Sequence, residues 1–134
     1  MTPSLVGIHE TVLYGPDLEA LTAFYEGALG LRAVSRLGAL GVAFRLPDSG
    51  ILLLFDPVAA SAAGRDVPAH GTNGEGHVAF LVGVGALAEW RTHLGDRDVQ
   101  IESELRWDRG GISIYVRDPA GNSVELVEGE IWPD

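Results

Sequence analysis

Glu125 is the residue with the clearest need of a chemical partner. It lies in the run Ser123-Val124-Glu125-Leu126-Val127. In a strand, Val124 and Leu126 turn to one side, and Ser123, Glu125 and Val127 to the other. A carboxylate among neighbours that favour burial is rarely left unpaired. His77 is placed in a similar way. Gly76 to Val82 alternates, with Val78, Phe80 and Val82 on one face and His77, Ala79 and Leu81 on the other. A further polar pair, His9 and Glu10, interrupts the apolar run Leu5 to Tyr14. Imidazole and carboxylate are standard ligands of divalent cations. The absence of cysteine rules out thiolate ligands and disulfides. Residue types alone leave plainer readings open. His77 could be a hydrogen-bonded core histidine, and Glu125 a carboxylate paired with an arginine such as Arg117 or Arg45.

The elements that must position these residues recur in one order. Leu5 to Tyr14 reads as a strand ended by Gly15-Pro16. Asp17 is a plausible N-cap, followed at helical spacing by Leu18, Leu21, Phe24, Tyr25 and Ala28, with Gly27 and Gly30 near the end. Leu31 to Leu37, Leu40 to Leu46 and Ile51 to Phe55 read as three more strands, the last two separated by the turn Pro47-Asp48-Ser49-Gly50. Val58 to Gly74 is rich in Ala, Gly and Ser and has no sustained period, so it reads as a linker with one short helical turn near Ala59–Ala63. The order then repeats: strand Gly76 to Val82, helix Ala86 to Leu94 with Gly95 as its stop, strand Val99 to Leu105, and a closing hairpin turned by Asp118-Pro119-Ala120-Gly121. The expected fold is therefore a single α+β domain of 134 residues. Module one spans about 4–57, the linker 58–74 and module two about 75–130. The two tandem βαβββ modules are expected to form one curved, partly closed mixed sheet with a central cleft and helices on the outer face.

Charge excludes some partners. Nineteen Asp and Glu oppose nine arginines, a net charge of −10, with an isoelectric point near 4.6. That balance argues against nucleic acid and against an anionic membrane surface. Met1-Thr2-Pro3-Ser4 lacks the basic and apolar regions of a secretory signal, and Ile51 to Phe55 is far too short to cross a bilayer. A cytoplasmic location is expected.

Three stretches carry a family resemblance. Glu10-Thr11-Val12-Leu13-Tyr14-Gly15-Pro16-Asp17-Leu18, with Phe24-Tyr25 and Leu29-Gly30-Leu31, resembles the first module of the vicinal oxygen chelate superfamily. This is the group of glyoxalase I, bleomycin resistance proteins, fosfomycin resistance transferases and extradiol dioxygenases. Gly76-His77-Val78-Ala79-Phe80 resembles the strand that opens its second module, and Tyr115 to Leu126 its closing hairpin. The match spans nearly the whole chain and is specific at both ends, less so over Ala33 to Asn73.

The resemblance implies a divalent metal in the cleft (Zn, Mn, Fe, Ni or Mg), held by residues on inward strands. Glu125 matches the C-terminal metal glutamate and His77 the histidine of module two. On the first strand the family ligand stands seven residues before the aspartate that opens the helix. Counting back from Asp17 gives Glu10, with His9 as the alternative if a bulge intervenes. The last strand of module one offers no fourth ligand, and Asp56 reads as a turn residue. The implied site is Glu10, His77 and Glu125, with Glu10 and Glu125 as the catalytic carboxylates. Three ligands instead of four make lactoylglutathione lyase activity less expected. By the same resemblance, Ser113 and Tyr115 face the substrate. Tyr14 shares the face of Glu10, and Trp107 and Arg109 lie on a loop that could cap the cleft. The implied function is a metal-dependent glyoxalase- or dioxygenase-like enzyme, acting as isomerase, thiol transferase or ring-cleaving enzyme on a small molecule with neighbouring oxygens. The alternatives are a metal-free binding protein of the bleomycin resistance type and a structural module without a ligand. A homodimer is the expected assembly.

Overall fold

Helix α1 (Leu18–Gly27) starts where the Asp17 carboxylate accepts a hydrogen bond from the Ala20 N–H at 3.0 Å, and it turns Leu21, Thr22 and Tyr25 inward. In the computed structural model, which describes residues 1–134, α1 follows strand β1 (Glu10–Tyr14) and leads into β2 (Arg32–Arg36), β3 (Gly41–Arg45) and β4 (Ile51–Phe55). Strand β4 returns parallel to β1, giving the order β1-β4-β3-β2. A short helix α2 (Pro57–Ser61) opens the linker. Module two repeats the plan with β5 (His77–Leu81), α3 (Leu87–Asp96), β6 (Ser103–Arg106), β7 (Ile112–Arg117) and β8 (Ser123–Glu128), in the order β5-β8-β7-β6. The two four-stranded sheets share no backbone ladder, with β1 and β5 each at an edge, so the sheet surface remains open.

One core serves both modules. Leu13, Phe44, Leu52 and Leu54 from the first sheet join Ile114, Val116, Val124 and Leu126 from the second, with Leu21 and Tyr25 of α1 and Leu87 and Leu94 of α3 between them. Each buried Leu or Ile contributes about 1.5–3 kcal/mol. Polar bonds fix the seam. The Tyr25 hydroxyl donates to Asp118 Oδ2 at 2.8 Å, and Asn122 links the end of β1 to the start of β5 through Tyr14 O at 3.3 Å and Gly76 N at 2.7 Å. Asp118 is itself held by the N–H groups of Ala120 and Asn122 in the hairpin turn, where Gly121 takes φ +85°.

Several boundaries differ from the sequence expectation. The first strand begins at Glu10, not Leu5, because its one partner, β4, begins at Ile51. The first nine residues are exposed, among them the apolar Leu5, Val6 and Ile8. Strand β6 begins at Ser103, where its pairing with β7 begins, although Val99 and Ile101 still pack on the core. Helix α3 runs past Gly95 to Asp96, and the left-handed residue after it is Asp98, at φ +57°. Asp56 caps α2 by accepting from Val58 N and Ala59 N.

Candidate metal centre

The hairpin β7–β8 sets Glu125 directly across from Tyr115, and the parallel pair β5·β8 sets it beside Ala79. Strand alternation then puts His77, Ser113, Tyr115 and Glu125 on the sheet face away from the core. Glu125 is 5 % exposed. Its Oε2 accepts from the fully buried Ser113 hydroxyl at 2.5 Å, and Ser113 accepts from Trp107 Nε1 at 2.8 Å. Its Oε1 lies 3.3 Å from His77 Nε2. On the other side of that ring, Nδ1 lies 3.0 Å from Ser123 O. A carbonyl can only accept, so Nδ1 carries a proton. Nε2 faces the carboxylate, with a lone pair when the ring is neutral and with an N–H when both nitrogens are protonated. The Tyr115 ring stacks beside His77 with centroids 6.5 Å apart. Burial and the negative charge of Glu125 raise the pKa of the Tyr115 phenol, which stays a hydrogen-bond donor.

The structure brings together His77, Glu125, Ser113, Tyr115 and Trp107. It does not bring Glu10 to them, since no three His, Asp or Glu side chains of the chain converge as a metal-binding group. The ladder β1·β4 runs without a register shift, so Glu10 shares the face of Val12 and Tyr14, whereas Leu13 on the opposite face is buried in the core. His9 lies just before β1, with its carbonyl accepting from Ile51 N at 3.1 Å. Both Glu10 and His9 border a groove of about 610 Å³ between the start of β1 and strand β5. Tyr14 hydrogen-bonds His70 instead of the Glu125 network. Arg109 is exposed in the β6–β7 turn. The arginine partners considered for Glu125 are engaged elsewhere: Arg117 binds Glu102 and Glu75, and Arg45 donates to Ser49 O. His70 was missed from sequence because it lies in the stretch without a period. The Ser113–Glu125 bond was legible in principle, from the hairpin register that Asp118–Gly121 imposes.

The family model of the Glyoxalase/Bleomycin resistance protein/Dioxygenase superfamily matches residues 7–126. The chain belongs to this superfamily. A solved lactoylglutathione lyase from Agrobacterium tumefaciens is 39% identical over 98% of this chain and 100% of its own, with a TM-score of 0.91. A glyoxalase/bleomycin resistance protein/dioxygenase from Nocardioides is 25% identical over 99% of this chain and 91% of its own, with a TM-score of 0.76. A glyoxalase/dioxygenase from Nostoc punctiforme, 22% identical over 97% and 99%, shares the fold with a TM-score of 0.68. A comparison with curated proteins finds no match.

The pair His77–Glu125 fits the divalent metal that members of the superfamily generally use. Two donors at about 2.1 Å from one ion, set 90–109° apart, are separated by about 3.0–3.4 Å. The 3.3 Å between Nε2 and Oε1 lies within that range. The outer contacts fit as well. A ligating histidine commonly donates its other N–H to a carbonyl, and a ligating carboxylate is itself hydrogen-bonded. Ser123 O and Ser113 Oγ occupy those places.

Proposed function

We propose that this superfamily member is a divalent-metal-dependent enzyme acting on a small molecule with two neighbouring oxygens, and that His77 and Glu125 hold the metal. One observation carries the reading. The Nε2 atom and a carboxylate oxygen face each other at 3.3 Å, and with the ring neutral both are acceptors. Groups so placed need a proton or a cation between them. The ion supplies Lewis acidity toward negative charge developing on a substrate oxygen. Ser113 and Trp107 keep the carboxylate turned toward His77, and the protonated Tyr115 donates to an oxygen beside it. Lactoylglutathione formation is the first reaction to assay, on the strength of the relative at 39% identity.

The third ligand in this proposal is Glu10, with His9 as its alternative, and it comes from a second copy of the chain. Within one chain Glu10 stays apart from the pair. It ends a fully exposed segment that includes the uncovered apolar Leu5, Val6 and Ile8, and Leu81 on the edge strand β5 is uncovered too. Uncovered apolar surface of this kind favours a partner. A homodimer that buries it brings each Glu10 to the other copy's His77 and Glu125.

Metal analysis of protein purified without chelator tests the first claim. About one ion per chain is expected, lost in Glu125→Ala and His77→Ala; a wild-type protein that binds no Mn, Zn, Ni or Fe(II) overturns it. Mixing separately unfolded Glu10→Gln and Glu125→Gln chains tests the second. Refolded together, half the dimers carry one intact site, so metal returns to about a quarter of the sites. No recovery means the site is built within one chain. A second reading, a metal-free binding protein, is favoured by one feature: Ser113 already donates to Glu125, and a proton on His77 Nε2 in place of an ion would complete the pair. Full ligand binding in the presence of chelator would select it.

A further inference from the structure

The linker contributes a second polar centre. The Tyr14 hydroxyl hydrogen-bonds His70 Nδ1, and the His70 ring lies on Phe55, with centroids 5.8 Å apart and planes 20° apart. The backbone N–H of His70 donates to Ala60 O at 3.1 Å, and Gly71 packs so closely on Pro57 O that a Cβ there would stand 2.8 Å from it. The loop is thus pinned to α2, which is capped by Asp56. A phenol that donates to Nδ1 leaves the proton on Nε2, which has no partner in the chain and is exposed. A neutral imidazole at this place presents an N–H donor; a protonated one adds a positive charge in a chain of net charge −10.

Distance decides what this pair can do. Tyr14 stands four residues along β1 from Glu10 on the same face, about 13 Å at 3.3 Å per residue. With Glu10 as a ligand, that is too far for the Tyr14 of the same chain to exchange a proton with an atom at the metal Glu10 holds. Between the two positions the face is apolar, made of Val12, Ile51 and Leu53, and Phe55 lies beside Tyr14. We propose that Tyr14 and His70 form a subsite for a carboxylate at the far end of the substrate, so that the substrate is elongated, with chelating oxygens at one end, an apolar middle and an anion at the other. This rests on the proposed metal reading, with Glu10 as a ligand, for the near end only.

Two compounds of equal length test it: 2-oxoazelate, which ends in a carboxylate, and 2-oxononanoate, which ends in a methyl group. Their affinities are measured by calorimetry on protein loaded with Mn(II) and on protein treated with EDTA. Wild type is expected to prefer the carboxylate tail by about tenfold, the scale of one hydrogen bond to a charged group. His70→Ala should abolish the preference. Tyr14→Phe, which keeps the ring, should reduce it. The His70 ring ¹H–¹⁵N signals should move with 2-oxoazelate and stay in place with 2-oxononanoate. A preference that is absent in wild type, or that survives in His70→Ala, overturns the subsite, as does failure of both compounds to bind. Binding that keeps its tail preference but is indifferent to EDTA supports the subsite and sinks the metal reading alone.

Discussion

Replacing Ser113 by alanine tests whether the buried network prepares Glu125 for metal. Ser113 is fully buried, and its hydroxyl donates to Glu125 Oε2 at 2.5 Å. A hydrogen bond to a charged group contributes about 1.5–3 kcal/mol. Loss of an outer-shell partner of a metal ligand typically costs about 10–100-fold in affinity, or about 1.4–2.8 kcal/mol. The two estimates agree, so Ser113→Ala is expected to weaken metal binding by about 10–100-fold in a competition titration against a chelator of known affinity. The alanine also leaves Trp107 Nε1 without its acceptor. Trp107 is half-buried and water can serve it, so this part of the cost is small. Trp107→Phe separates the effects: it removes the donor to Ser113, keeps the bond from Ser113 to Glu125, and should cost only a few-fold in affinity. The apo Ser113→Ala protein should melt a few degrees lower, at about 3 °C per kcal/mol for a chain of this size. If metal affinity stays within twofold of wild type while the melting temperature falls, Ser113 merely fills the core and the reasoning about Glu125 is wrong.

Tyr25 makes the chain sensitive to alkali. Burial first, then the charge and hydrogen bond of Asp118, push its pKa far above the ordinary tyrosine value of about 10. A raised folded-state value means that stability is complete below pH 10 and falls above it, by about 1.4 kcal/mol per pH unit from this residue. Denaturant unfolding should lose about 1.4 kcal/mol from this residue between pH 9 and 11, approaching the full slope above pH 11. Tyr25→Phe should flatten it while lowering stability at pH 7 by about 1–3 kcal/mol, since Asp118 loses a donor; an unchanged slope would remove Tyr25 from the account. Gly41→Ala is expected to prevent folding or to cost more than about 3 kcal/mol, because its Cβ would lie 2.0 Å from Leu54 O; soluble protein with wild-type melting would contradict that packing.

The order of elements was legible because each carries its own local signal. Asp17 announces α1, alternation marks β5 and β8, and Asp118 to Gly121 closes the last hairpin in a fixed register. That register also puts Ser113, Tyr115 and Glu125 on one face, so half of the candidate site follows from the letters. Strand ends were less legible, because a strand lasts as long as its partner. Leu5 to Ile8 have strand-forming side chains and no neighbour within the chain to pair with. His70 gave no signal, since the contact that gives it a role is made with Tyr14, 56 residues away.

Glu10 shows a different limit. Alternation fixes its face, and β1 confirms that it points with Tyr14, opposite to the buried Leu13. On the proposed assembly it meets His77 of a second copy, which alternation along one strand does not reveal. On the proposed assembly the division of ligands has a physical consequence. A complete triad in one chain would hold two carboxylates together before any ion arrived, and their repulsion would oppose folding. With Glu10 left in solvent, Glu125 folds holding the hydrogen bond from Ser113, and the second negative charge approaches when a copy docks. Dimerisation should therefore tighten when divalent metal is present. Glu10→Gln, which removes the repulsion together with the ligand charge, should dimerise equally well with and without it. Sedimentation at several protein concentrations, with and without Mn(II), distinguishes this coupling from a dimer that forms through apolar contacts alone and ignores the ion.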